Sequence, residues 1–94
     1  MGILFQTIRR LVMSGRYVVG EHAIQRLEER LILEWQVVDG IERGALIAED
    51  PRAQPNTTAE VRQALADGSE VKVVWSYVIS DDIAKLVTVH FFGR

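Results

Sequence analysis

The sequence predicts an α+β fold: N-terminal helices packed on a four-stranded, mainly antiparallel β-sheet. Three observations carry that expectation. Ile3, Phe5, Ile8, Leu11 and Val12 repeat at helical spacing near the start of the chain. Two long runs, 71–79 and 83–92, are dense in β-branched and aromatic residues, as strands covered by helices on both faces are. Only Ser80-Asp81-Asp82 joins them, too short a link for a parallel crossover, so they must pair antiparallel. Ninety-four residues, 48% hydrophobic and 26% charged, suit a single domain, 1–94, with one dense core.

The elements follow in order. The first helix spans 3–13 and ends at Ser14-Gly15. RYVVG, residues 16–20, reads as a short extended link. EHAIQRLEER is rich in helix formers and sets Ala23, Ile24 and Leu27 on one side. A third helix runs from Glu34 to Arg43, turns Val37, Val38 and Ile41 inward, and has Gly44 just past its end. With LIL between them, these two helices make a hairpin or a corner. Ala45 to Glu49 is a strand stopped by Asp50-Pro51, and 51–55 is a loop, since neither proline fits inside a paired strand.

TTAEVRQALADG admits two readings. As a helix, Thr57 or Thr58 caps it and Gly68 closes it. As a strand, it forms a hairpin with VKVVWSYVI. A three-residue loop, Ala66-Asp67-Gly68, aligns Leu65, Gln63, Val61 and Ala59 with Ser69, Val71, Val73 and Trp75. That register gathers apolar residues on one face and needs a left-handed residue only at Gly68, so it favours the strand.

Composition excludes several functions. Without cysteine, neither a disulfide framework nor a thiolate metal site can form, which suits a cytoplasmic protein. MGILFQTIRRLVM is interrupted by Arg9 and Arg10, is too short to span a membrane, and has no signal-peptide layout. Gly2 lacks the Ser or Thr at position 6 that myristoylation wants; Gln6 stands there. A net charge of −2 argues against a general polyanion binder. The charge is uneven, though: +2 over residues 1–30, −5 over 31–70 and +1 over 71–94.

The string GEHAIQRLEERLILEWQVVDGIERGALIAED carries a helix of the form His-Ala-x-x-Arg-x-x-x-Arg, at His22, Ala23, Arg26 and Arg30. A short helix and a strand ending at an acidic-proline loop follow it. This resembles the family called domain of unknown function 4258. ALADGSEVKVVWSYV looks like its hairpin and LVTVHFF like its final strand, so the resemblance covers 17–92 and leaves helix 3–13 as an addition. In layout the family is similar to RelE-like and BrnT-like toxin ribonucleases, which implies metal-independent RNA cleavage with no cofactor. It also implies RNA, and a small antitoxin-like protein, as partners. Leu31 and Leu33 depart from the family pattern, which commonly has Gly and then Ser, Thr or Asp. A missing cap or a non-glycine past a helix end costs about 1 kcal/mol each, partly offset if the leucines are buried.

On a helix, positions 22, 26 and 30 advance by about 40° per step, so His22, Arg26 and Arg30 form one stripe. Cleavage of RNA by its 2′-hydroxyl needs a base, an acid and cations around the phosphate. Histidine serves either proton role, and arginine grips phosphate oxygens with a planar fork. His90 is the only other histidine and a candidate second proton carrier; Tyr77 offers a hydroxyl to the substrate. The structural alternatives are equally concrete. His22 lies near a helix start, Arg26 and Arg30 can pair with Glu29 or Glu34, and His90 sits between Val89 and Phe91 as strand residues do. Glu42, Glu49 and Asp50 lack the spacing of a metal site, and Asp81-Asp82 is a turn. Trp35, Trp75 and Tyr77 could stack on bases, but aromatics in so small a domain usually belong to the core. The expected alternative to an RNA enzyme is a non-catalytic interaction module or a homodimer subunit, with a contiguous apolar surface patch.

Overall fold

The computed structural model describes residues 2–92. Its helices are α1 (Ile3–Met13), α2 (Glu21–Arg30) and α3 (Glu34–Gly40); a 3-10 turn, Ile41–Arg43, continues the last, and another, Ile79–Asp81, lies further along the chain. Its strands are β1 (Tyr17–Val19), β2 (Ala45–Asp50), β3 (Thr57–Ala64), β4 (Glu70–Val78) and β5 (Ile83–Phe91). They form one mixed sheet in the order β1-β5-β4-β3-β2. The four expected strands, β2 to β5, are antiparallel neighbours, and the fifth corrects the expectation. Within RYVVG, Tyr17 pairs with Ala84 and Val19 with Leu86, in parallel. Three residues are too few for a period-2 signal; what makes them a strand is the neighbour they meet.

Phe5, Ile8, Leu11 and Val12 wind into one buried stripe of α1. Its N-cap, Gly2, has no side chain to offer, and Glu49 of β2 takes over: Oε2 accepts the Phe5 N–H at 2.9 Å. At the far end Gly15 has φ +80°, which lets the Arg16 N–H return to Leu11 O and the Gly15 N–H to Val12 O. This pair of bonds is a Schellman closure, and it ends the helix at Ser14-Gly15 as expected.

The same closure recurs on α2 with a leucine in glycine's place. Leu31 sits at φ 55°, the Leu31 N–H donates to Glu28 O, and the Ile32 N–H donates to Leu27 O at 2.9 Å. Leu27 and Ile32 are both buried, the apolar contact that accompanies this motif. Leu31 itself is 90% exposed and Leu33, the N-cap of α3, is 57% exposed with no side-chain cap bond. The expectation that burial of these leucines offsets their departure from the cap pattern is therefore corrected. The third helix also differs, being α-helical only to Gly40. Gly44 follows it in an extended conformation, and it is a glycine because a side chain there would collide with Val61.

Residues 57–64 are a strand, in the expected register: Ala59 faces Trp75, Val61 faces Val73 and Gln63 faces Val71. Gly68 takes φ +87°, and the Leu65 N–H donates to Ser69 O at 2.8 Å. One face of β3, β4 and β5 (Val61, Val73, Trp75, Leu86 and Val89 among them) is buried with α1 and α3. Within this core Gln63, only 1% exposed, donates from Nε2 to Val37 O at 2.8 Å and accepts the Trp75 indole N–H at 2.9 Å. It ties α3 to β3 and β4. The other face carries Arg62, Lys72, Val74 and His90, which are half-exposed or exposed, while Ser76 and Thr88 on that same face are buried, so the two long strands are covered fully on one side and only in part on the other.

Candidate functional site

Alternation along a strand fixes which side chains share a face. Arg62 on β3 stands opposite Lys72 on β4, and Lys72 stands opposite His90 on β5. The three therefore make one basic row across the uncovered face. α2 packs along β5, next to the end of that row. Ala23 and Leu27 hold α2 to the core, which leaves the His22–Arg26–Arg30 stripe on a more exposed side. The charges of Arg30, Lys72, Arg26 and His22 all bear on the His90 ring. Four of the five residues singled out in the sequence thus converge, from two elements separated by most of the chain.

Tyr77 does not join them. It lies on the opposite face of the sheet, packed against the core at the other end of β4. Its hydroxyl donates to Asp82 Oδ1 at 2.8 Å, a bond that raises the phenol above its ordinary pKa. Trp75 is core, as expected of an aromatic here, whereas Trp35 is 55% exposed. Lys72 and Arg62 were not singled out as site residues. The signal was available, because the register that aligns Gln63 with Val71 also sets Arg62 against Lys72.

The electrostatics of the cluster are mixed. Burial first, then the surrounding cations, depress the pKa of His90, so its imidazole is neutral at pH 7. His22 is exposed and lies one residue inside α2, whose N-cap is Gly20. Arg26 is gripped by both Glu29 oxygens at 2.8 Å, and Arg30 lies 3.7 Å from the same carboxylate. Arg62 pairs with Glu70 at 3.1 Å and stacks over the Phe92 ring at 4.1 Å; Lys72 lies 3.6 Å from Glu60. All these carboxylates are at least two-fifths exposed. Exposed pairs of this kind contribute about 0–1 kcal/mol, so an incoming phosphate can exchange for them. Beyond Arg30 a cleft of about 260 Å³ opens between the end of α2, the β3–β4 hairpin and Phe91.

Among the described residues, no group of His, Asp and Glu is arranged to hold a metal ion. Among them, no helix is long and apolar enough to cross a membrane. No curated protein and no solved structure matches the chain. One family, described as Domain of unknown function (DUF4258), matches residues 19–91, from β1 to the end of β5, and leaves α1 outside the match. With most of its length matched, this chain belongs to the DUF4258 family.

Proposed function

We propose that the surface shared by α2 and β5 binds an RNA backbone and cleaves it without a metal ion. The observation that carries this reading is the continuity of the Arg62–Lys72–His90 row with the His22–Arg26–Arg30 stripe. Two imidazoles lie among four cations, the set that transfer of a phosphodiester to its own 2′-hydroxyl requires.

In the proposed reaction His90, neutral at pH 7, takes the proton of the 2′-hydroxyl. The freed oxygen attacks phosphorus, and the bond from phosphorus to the 5′-oxygen breaks. His22 delivers a proton to that leaving oxygen. The products are a 2′,3′-cyclic phosphate and a 5′-hydroxyl. Arg26 and Arg30 neutralise the charge gathering on the pentavalent phosphorus, each with a planar fork that lysine lacks. Lys72 and Arg62 hold the neighbouring phosphates. Tyr77 has no part in it.

The test is cleavage of labelled total RNA with EDTA present, alongside thermal melts of each variant. His22→Gln and His90→Asn should each lower the rate by about 10²-fold or more while the melting temperature barely moves. Arg26→Lys should slow cleavage although the charge is kept. A wild-type protein that neither cleaves RNA nor binds it at low salt would overturn the reading. So would a His22→Gln variant that fails to fold, because His22 would then be a structural residue.

A further inference from the structure

Helix α2 has a second face, which the cationic surface does not use. Ile24, Leu27 and Leu31 form with Leu33 an open apolar groove of about 470 Å³ beside the start of α3. Apart from Leu27, these side chains are largely in water: Ile24 is 44% exposed, and Leu31 and Leu33 more so. Leu31 is the most telling. It holds the left-handed conformation that glycine adopts without strain, so the leucine side chain adds backbone strain and gains no burial in return. That leaves its apolar surface open to whatever the groove accommodates.

The rim indicates what that is. Glu28 and Glu34 line the same groove. Glu29, Glu60, Glu70 and Asp82 each have a cation within 4 Å. Among the described residues Glu28 and Glu34 form no salt bridge, and Glu34 only accepts the Tyr17 hydroxyl at 3.3 Å. The groove is therefore apolar along its floor and uncompensated negative at its edge.

We propose that this groove docks an amphipathic helix of another protein, with its apolar stripe flanked by Lys or Arg. A helix laid in a groove presents anchors at i, i+3, i+4 and i+7, which suits the row along α2. Flanking cations meet Glu28 and Glu34 and set partner choice. A two-fold contact with a second copy would instead bring the same carboxylates of both chains to one seam, where like charges repel.

The probe is a synthetic helical peptide with leucines at i, i+3, i+4 and i+7 and lysines on both sides of that stripe. A control peptide carries glutamates in place of the lysines. Titrated into ¹⁵N-labelled protein, the lysine peptide should shift the amides of residues 24–34 and bind about 10-fold or more tighter than the control. Glu28→Lys with Glu34→Lys should reverse that preference. Leu31→Gly should weaken binding by about 5-fold or more while the melting temperature holds or rises, which a purely structural leucine would not allow. Three results would each overturn the proposal: no shifts at 24–34 with about 1 mM peptide, a weak regime already; equal binding of both peptides; or self-association of the protein that Leu31→Gly abolishes.

Discussion

Replacing Gln63 by leucine keeps the volume of an inward-facing side chain and removes both of its hydrogen bonds. Two buried groups are then stranded, the Trp75 indole N–H and the Val37 carbonyl. Each unsatisfied group costs about 1–3 kcal/mol, so the loss should be about 2–6 kcal/mol. For a domain of this size that lowers the melting temperature by about 10–30 °C. Gln63→Glu separates the two bonds. One carboxyl oxygen still accepts from Trp75, but the other faces the Val37 carbonyl and must carry a proton to bond it. Folding would raise that pKa above the unfolded value of about 4.3, so the variant should approach wild-type stability near pH 4 and lose it as pH rises. Thermal unfolding followed by circular dichroism at pH 4 and pH 7 measures both effects. A cycle with Trp75→Phe completes the test: the double variant should lose less than the sum of the single losses, since the stranded indole is gone. A Gln63→Leu variant that melts within about 3 °C of wild type, less than 1 kcal/mol, would refute the reasoning.

Two further outcomes follow from the backbone and from His90. Gly68 has open space around its α-carbon, so only its φ of +87° opposes a side chain. Gly68→Val should cost roughly 1–2 kcal/mol or more and Gly68→Asn clearly less, read from urea unfolding; equal losses would contradict a turn built on that conformation. Folding lowers the pKa of His90 below its ordinary 6.5, so the folded state resists the proton that the unfolded chain accepts. Its stabilising contribution is present above pH 6.5 and is lost as pH falls through that value. Melting temperatures of His90→Asn at pH 7.5, 6 and 5 should therefore decline less than those of wild type, and a parallel decline would count against the assignment.

What the sequence revealed depended on how many residues carried each signal. α1 and α2 announce themselves through several turns of repeating apolar positions, and the β3–β4 register follows from eight paired residues and one glycine. The convergence of His90 on the α2 stripe was only half legible: the stripe is local, but its meeting with β5 depends on how the chain folds back. β1 was missed because three residues state no period. Leu31 and Leu33 were read correctly as departures and wrongly as buried, since at a helix end the backbone decides where a side chain points, and the Schellman closure buries the next residue, Ile32, instead. Gln63 was placed on the inward face without a reason for a polar residue there; the reason is Trp75, twelve positions away, and Val37, on another element.

The parallel pairing of β1 with β5 carries a consequence for assembly in time. A segment made early, residues 17–19, finds its strand partner among the described residues at 84–86, near the end of the domain. During synthesis α1, β1 and α2 must wait for about 65 further residues, and β5 inserts between β1 and β4 as the piece that joins them. Until it arrives, the sheet edge of β4 and the apolar sides of α1 and α2 have no complete surface to cover them. Such long-range closure slows folding relative to domains rich in local contacts. In that interval the nascent chain offers an open strand edge, the feature through which chains recruit one another or a chaperone.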